Sequence, residues 1–264
     1  MSLFVAAVLG IVQGLTEFLP VSSTAHLLVA GRALGMDDPA FTVMIQFGSI
    51  LAVVWLYRAK LLQVLRGLPG DPEARRFALM LLVAFVPAVV AGGLLSGFVK
   101  RVLYESPSVI AVAFIVGGVV MLLVERWRRA PTITMPDQTP MSRAFGIGVC
   151  QMLALVPGVS RSGATIVGGL LMGLERPAAA EFSFFLAIPT LGAAFAKSLL
   201  DVREQLSFDQ ASAIVVGFVF AFLASLAVMG PFLRFVGRTG FGPFAWYRIA
   251  AGCIILGLVA VGRL

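Results

Sequence analysis

Residues 13–26 read Gln-Gly-Leu-Thr-Glu-Phe-Leu-Pro-Val-Ser-Ser-Thr-Ala-His, and residues 151–165 read Gln-Met-Leu-Ala-Leu-Val-Pro-Gly-Val-Ser-Arg-Ser-Gly-Ala-Thr. Both stretches interrupt apolar sequence with polar residues and a central proline. An unpaired Glu or Arg at bilayer depth costs roughly 2.5–3.5 kcal/mol on insertion scales. We therefore expect Glu17 of the first stretch and Arg161 of the second to meet, either directly or across a ligand.

The composition is that of an all-α polytopic membrane protein. The chain is 59% hydrophobic and 12% charged, with a mean hydropathy of +1.00, whereas soluble domains are about 25% charged. The net charge of +7 fits the excess of Lys and Arg that cytoplasmic loops carry. Since no basic stripe lies on a soluble face, we expect no nucleic-acid partner. The N-terminal residues lack a basic n-region, so we expect no cleaved signal peptide.

Hydropathy predicts about six full transmembrane helices and two re-entrant hairpins. The apolar pieces on either side of each polar stretch are shorter than the roughly 20 residues that cross a bilayer, and Pro20 opposes continuous helix. A helix–loop–helix that enters and leaves on one side fits better, provided that protein or a wet cavity covers it. The predicted spans are 41–57, 77–96, 109–124, 178–199, 210–229 and 247–263, with a Gly/Pro-punctuated connection over 230–246.

The chain also predicts an internal duplication. The two polar stretches align with each other, and the spans that follow them, which begin Phe41-Thr-Val-Met-Ile and Phe182-Ser-Phe-Phe-Leu, align in the same order. The matched pairs are Gln13 with Gln151, Pro20 with Pro157, Ser22 with Ser160 and Thr24 with Ser162. We expect a single membrane domain with a first repeat over 1–124, a cytoplasmic linker over 125–143 and a second repeat over 144–264.

Loop charges predict the orientation. Loops 58–76, 125–143 and 230–248 hold 5, 4 and 3 Lys or Arg, whereas loops 32–40, 97–108 and 200–209 hold 1, 2 and 1. The richer set should be cytoplasmic, which puts both termini outside and the two repeats antiparallel. Inverted repeats with broken helices place their ligand site near the midplane, between the repeats.

The second polar stretch has the groups that a phosphate requires. Arg161 supplies a fixed cation, and Gly158 and Gly163 let backbone amides approach a ligand. The start of a half-helix would add free amides and its dipole. The hydroxyls are those of Ser160, Ser162 and Thr165. The competing reading is that Arg161 is only a structural partner for a carboxylate or for carbonyls.

The first polar stretch has complementary groups. Gln13 and Glu17 share one helix face, where their oxygens could hold Mg²⁺ or Ca²⁺ together with phosphate. Ser23 and His26 are three residues apart, close enough for a hydroxyl nucleophile and its base. The competing readings are a core imidazole for His26 and a helix-end carboxylate for Glu17.

Three further residues of the chain are expected to contact substrate. Ser22, like Ser23, follows the Pro20 break, where backbone is available to a ligand, and Thr24 is the next residue of that stretch. Gln46, in an apolar span, could reach the same cavity or hydrogen-bond across helices.

At this point the residues resemble a known family. Glu17-Phe-Leu-Pro-Val-Ser-Ser-Thr-Ala-His26 and Pro157-Gly-Val-Ser-Arg-Ser-Gly-Ala-Thr165 are similar to the two signature motifs of the bacterial undecaprenyl-diphosphate phosphatases of the bacitracin-resistance type. The resemblance extends to Glu181-Phe-Ser-Phe-Phe-Leu-Ala-Ile-Pro189 and to Phe244-Ala-Trp-Tyr-Arg248.

The resemblance implies an inner-membrane enzyme that hydrolyses a polyprenyl diphosphate to the monophosphate and inorganic phosphate, recycling the lipid carrier for cell-wall synthesis. It implies support by a divalent cation, Mg²⁺ or Ca²⁺, and a site open to the outer face. By position, Ser23 and His26 are the residues assigned to catalysis, and Glu17 is the second acid of a Glu/Gln-x-x-x-Glu motif. The stretch from Ser160 to Thr165 is the phosphate-binding loop. Many members have Glu where this chain has Gln13, so Gln13 would hold a metal more weakly and cannot be a base.

Two other functions fit parts of the sequence. A transporter or flippase of a lipid phosphate would use the same inverted repeats, and a structural scaffold would leave Glu17 and Arg161 unexplained. The nucleophile is open between Ser23, His26 and water. A homodimer is one assembly that the sequence permits.

Overall fold

The computed structural model describes residues 2–36, 38–98, 106–128, 130–202 and 208–261. These residues form eleven α-helices, with no strand longer than a single bridge between Ile133 and Leu174. The helices are α1 (Leu3–Thr16), α2 (Ser23–Ala33), α3 (Pro39–Leu56), α4 (Arg58–Gly67), α5 (Pro72–Phe98), α6 (Pro107–Trp127), α7 (Met141–Met152), α8 (Arg161–Leu171), α9 (Arg176–Val202), α10 (Phe208–Thr239) and α11 (Gly242–Ala260). Short 3₁₀ turns lie at Pro136–Gln138 and Leu153–Leu155.

The predicted number of spans is confirmed by helix length and composition. Five helices, namely α5, α6, α9, α10 and α11, are long and apolar enough to cross a bilayer. Helices α3 and α4 make a sixth candidate, bent by 73° at Tyr57. The protein is therefore a multi-pass helical membrane protein.

The predicted connection over 230–246 is wrong, because α10 runs unbroken through Pro231 to Thr239 and α11 begins at Gly242. Proline is tolerated within an apolar helix where neighbouring groups satisfy the freed backbone. Arg248, which the charge count placed in that loop, is a buried residue of α11. Most of loops 97–108 and 200–209 falls outside the described residues.

The two polar stretches are helix breaks, as predicted. Helix α1 ends at Thr16, a turn over 17–21 contains Pro20, and α2 begins at Ser23. Helix α7 gives way to a 3₁₀ turn and then to the Pro157 turn, and α8 begins at Arg161. Both breaks lie beside the main core, which Phe18 enters by packing edge-on against Phe184 at 5.3 Å between ring centroids.

The helix contacts follow a similar pattern in the two halves of the chain. In the two predicted repeats α1 corresponds to α7, α3 to α9 and α5 to α10. Helix α1 packs on α10, and its counterpart α7 packs on α5. In the same way α3 packs on α10, and its counterpart α9 packs on α5. The pairs α3 with α9 and α6 with α11 join the two halves. Gly10 and Gly148, at matching places in α1 and α7, each lie directly against the backbone of the partner helix. The repeat boundaries and their opposite orientation in the bilayer stay predictions.

Candidate active site

Glu17 and Arg161 meet at the junction of the two breaks, as the sequence predicts. Arg161 Nη2 lies 3.1 Å from Glu17 Oε1, and the two side chains are only 10% and 5% exposed. The Arg161 guanidinium also sits 5.7 Å from the centroid of the Phe18 ring. The pair therefore forms one compact charged centre from residues 144 positions apart.

The other oxygen of Glu17 accepts two further hydrogen bonds. Gln13 Nε2 donates to Oε2 over 2.9 Å, from one turn earlier on α1. The Ser23 hydroxyl donates to the same oxygen over 2.6 Å, from the start of α2. Charge-assisted bonds of this kind are shorter and stronger than neutral ones. The carboxylate therefore organises the first break around itself.

The second break is tied to helix α9 and to the first break. Arg161 Nη1 donates to the carbonyl oxygen of Ser183 at 3.0 Å, and the Thr165 hydroxyl donates to Ser183 Oγ at 2.7 Å. Ser162 donates to the carbonyl oxygen of Leu19 at 2.7 Å. Ser183 lies in α9 and did not figure among the predicted site residues, although it stands in the Glu181–Pro189 stretch that carries part of the family resemblance.

The same strained backbone occurs at the matching serine of each break. Ser22 has φ +66° and Ser160 has φ +75°, and these are the positive φ values among the described non-glycine residues. Each serine directly precedes a helix, α2 or α8. Such conformations cost on the order of 1–3 kcal/mol and persist only where surrounding structure enforces them, typically at functional sites. Ser160 Oγ also accepts from the amide of Gly163 at 3.1 Å and caps α8.

His26 lies at the other side of the first break, and its partners differ from the predicted one. Its Nδ1 is 2.8 Å from the carbonyl oxygen of Ser22, and its Nε2 is 2.5 Å from the Tyr247 hydroxyl. The Ser23 hydroxyl is directed to Glu17 instead. The predicted hydrogen-bonded pair of Ser23 and His26 is therefore not formed in this structure, because the carboxylate is the stronger acceptor for that hydroxyl.

Arg248 joins the two breaks from α11. Its Nη1 donates to the carbonyl oxygen of Pro20 at 3.2 Å, and its Nη2 donates to those of Gly158 and Ala113 at 2.9 and 3.0 Å. The side chain is 1% exposed. The sequence held two signals for it, an Arg at the start of an apolar span and its place in the Phe244–Arg248 stretch of the family resemblance, but charge counting assigned that Arg to a loop.

The remaining predicted substrate residues fall into two groups. Gly158 and Gly163 are buried in the second break, where Gly158 has φ +92° and lies against the backbone of Ile110, so that only glycine fits. Thr24 is half-buried in the first turn of α2. Gln46 is half-buried in α3 and forms no hydrogen bond among the residues that the structure describes.

The predicted cation ligands are a small set of hard oxygen donors. No group of three or more His, Cys, Asp or Glu gathers anywhere in the described part of the chain. Gln13 Oε1, however, is buried beside Glu17 without a hydrogen-bond partner. An amide oxygen and one carboxylate suit a cation that keeps water and shares phosphate oxygens, so the donor set fits a weakly held Mg²⁺ or Ca²⁺.

Comparison with known proteins gives the family. The model of the family "Bacitracin resistance protein BacA" matches residues 6–254. This chain belongs to the BacA family. Similar proteins include Undecaprenyl-diphosphatase 1 of Agrobacterium fabrum, 52% identical over 98% of this chain and 97% of that protein. The undecaprenyl-diphosphatases of Paracoccus denitrificans and Phenylobacterium zucineum are 50% and 49% identical, over 96% and 97% of this chain and 95% and 98% of theirs.

Both breaks, with all the side chains described above, lie within the matched region. The BacA family resemblance seen in the two motifs is thus confirmed over nearly the whole chain.

Proposed function

We propose that this protein is an undecaprenyl-diphosphatase, which hydrolyses undecaprenyl diphosphate to undecaprenyl phosphate and inorganic phosphate. The reaction returns the lipid carrier for cell-wall synthesis. The observation that carries the proposal is the contact between Glu17 and Arg161, because it brings a carboxylate, a guanidinium and several hydroxyls from both breaks into one buried centre. Near-full-length relatives named undecaprenyl-diphosphatase support the same reaction.

The diphosphate would bind at the second break. Arg161 begins α8, so the second break combines its guanidinium with the positive end of that helix. Helix N-termini and Arg forks are the usual phosphate ligands in proteins. Arg161 already holds two acceptors, Glu17 and Ser183, and a phosphate oxygen would compete with them. The hydroxyls of Ser160 and Ser162, whose oxygens are 3.0 Å apart, are the next groups that would contact the phosphate.

Ser23 is the nucleophile that the geometry favours. Its hydroxyl already donates to Glu17 at 2.6 Å, so the carboxylate can take the proton as Ser23 Oγ attacks the terminal phosphorus. The bond from that phosphorus to the bridging oxygen breaks, and undecaprenyl phosphate leaves. Water then attacks the phosphorus of the phosphoserine, the bond from phosphorus to Ser23 Oγ breaks, Glu17 returns its proton to Ser23 Oγ, and inorganic phosphate leaves. Positioning and charge neutralisation supply most of the rate in phosphoryl transfer.

A divalent cation, where bound, would neutralise phosphate charge and would be held by Gln13 Oε1 and Glu17. The single charge of this donor pair makes the affinity low. Arg161 carries the fixed positive charge whether or not a cation is present.

The protein would lie in the bacterial inner membrane with both termini outside and the site open to the outer face. The supporting observation is the charge of residues 58–76, which hold five Lys or Arg, three of them in α4 and two near the start of α5. Helix α4 within it exposes Arg58, Arg66 and two leucines, Leu62 and Leu65. A basic helix with exposed leucines suits the anionic cytoplasmic leaflet.

The test is phosphate release from undecaprenyl diphosphate by purified protein in detergent. We expect Ser23→Ala and Arg161→Ala to lower kcat at least about a thousandfold, with Arg66→Ala, an exposed residue of α4, as the matched control. Melting temperatures in detergent establish that each variant is folded. Near-normal turnover by Ser23→Ala would assign the attack to water or to another residue.

The same assay separates hydrolysis from carriage, because detergent offers no second compartment. If the folded wild-type protein released no phosphate with Mg²⁺ or Ca²⁺ present, the proposed reaction would be refuted.

A further inference from the structure

Tyr247 contacts the one histidine of the chain in two ways. Its hydroxyl oxygen is 2.5 Å from His26 Nε2. The two rings also stack, with centroids 5.7 Å apart and planes 14° apart. A tyrosine near the start of an apolar helix is usually an interfacial anchor, yet this one binds a predicted site residue 221 positions away in the sequence.

The partners of His26 determine which ring nitrogen carries the proton. The Ser22 carbonyl oxygen can only accept a hydrogen bond, so Nδ1 must be the donor there. In the neutral ring Nε2 then holds the lone pair, and the Tyr247 hydroxyl donates to it. This assignment follows from the chemistry of the partners, as for any imidazole whose hydrogens are placed by their network. The lone pair that could accept a proton in catalysis is thus that of Nε2, which accepts a hydrogen bond from the Tyr247 hydroxyl.

The phenol is carried on a fixed support. Arg248, the next residue, is buried and hydrogen-bonded to the carbonyl oxygens of Pro20 and Gly158, one on each break. Its guanidinium also lies 5.0 Å from the centroid of the Phe114 ring. The start of α11 therefore cannot shift relative to the two breaks without losing these hydrogen bonds. Functional side chains held within a fraction of an ångström need supporting contacts of this kind.

We infer that Tyr247 is a positioning residue for His26, holding the imidazole plane and its Nε2 lone pair ready for proton transfer during diphosphate hydrolysis. The inference rests on the proposed function. The hydroxyl is bound to His26, and Tyr247 is about half exposed, so water entering from that side can replace the phenol as donor to Nε2 or pass a proton to Nε2 through it.

The experiment uses the fact that the chain has a single histidine. Protein labelled with ¹⁵N-histidine and purified on a tag without histidine gives one pair of imidazole nitrogen resonances. In the wild type we expect a protonated Nδ1 and an unprotonated Nε2 that is shifted upfield by the phenol. In Tyr247→Phe, which keeps the stacked ring, the Nε2 resonance should move downfield while Nδ1 stays protonated. Trp246→Phe, the exposed neighbour, is the matched control and should leave both resonances unchanged.

Kinetics provide the second readout. We expect Tyr247→Phe to lower kcat about tenfold, the scale of one hydrogen bond, with KM changed less than about twofold. Trp246→Phe should change neither constant. An unchanged Nε2 resonance in Tyr247→Phe, or an unchanged kcat, would overturn the inference. If the resonance moved but the wild type released no phosphate, the contact would stand, and the proposed function together with the positioning role would fail.

Discussion

The contact between Glu17 and Arg161 gives the sharpest quantitative test of the site. The two side chains are almost fully buried, and their charged atoms lie 3.1 Å apart. Removing one partner of such a pair leaves an uncompensated buried charge, which costs about 3–5 kcal/mol, whereas replacing both partners together is often close to neutral. We therefore expect Glu17→Gln and Arg161→Met each to destabilise the protein by about that amount and the double variant to recover most of the loss.

Melting temperatures of the four proteins in one detergent measure the effect. For chains of this size 1 kcal/mol shifts the melting temperature by about 2–4 °C, so each single variant should melt about 10 °C lower than wild type. The double variant should melt within about 5 °C of wild type. The matched control is the partly exposed pair of Lys60 and Asp137, each side chain 34% exposed. Its single variants should lose no more than about 1 kcal/mol.

The cycle reports the coupling energy between Glu17 and Arg161 directly. A coupling below about 1 kcal/mol, no larger than that of the Lys60 pair, would refute the reasoning that a buried charge contact holds the two breaks together. The phosphate-release assay on the same proteins adds an independent result, since the double variant should be stable but inactive.

Three further predictions concern the cation, the packing and the orientation. Gln13→Glu places a second carboxylate where a buried oxygen lacks a partner, and should lower the Mg²⁺ or Ca²⁺ concentration for half-maximal activity by about tenfold; an unchanged titration would remove position 13 from the cation site. Gly117→Ala would push a methyl group into the guanidinium that ties the two breaks together and should destabilise the protein by about 1–3 kcal/mol, whereas Gly257→Ala faces open space and should change the melting temperature little. In a variant without native cysteines, a cysteine at Leu34 should react with a membrane-impermeant thiol reagent on intact cells and one at Gly70 should not, and the reverse pattern would overturn the proposed orientation.

Much of the architecture follows from local properties of the chain. The apolar runs predict the spans because crossing a bilayer needs a fixed length of apolar helix. The two proline-containing polar stretches predict the breaks, since the proline ring cannot continue an existing helix without loss of a hydrogen bond. The largest error in span boundaries came at Pro231, where α10 continues to Thr239.

The meeting of Glu17 and Arg161 was also predictable, because an isolated charge at bilayer depth is too costly to leave unpaired. The cost of burying a charge, however, does not predict the hydrogen-bond partner of a neutral side chain. A serine three residues from a histidine predicted a catalytic pair, but the Ser23 hydroxyl donates to Glu17 and the His26 imidazole contacts Tyr247. Both outcomes depend on which side chains the packed helices bring within 3 Å, and no local pattern contains that information.

The partners of Arg248 and Tyr247, near the C-terminal end of the chain, also depend on how the helices pack. Each has an ordinary local explanation, a loop cation and an interfacial aromatic residue. Helix α11 packs along α6 and beside both breaks. As a result Arg248 is buried and hydrogen-bonded to both breaks, and Tyr247 contacts the single histidine. Hydropathy and proline positions thus settle how many helices there are and where two of them break, because those are properties of one segment and its solvent. The pairing of polar groups across about 90 to 230 residues is settled only when the helices pack, because hydrogen bonds depend on distances and directions that no single segment defines.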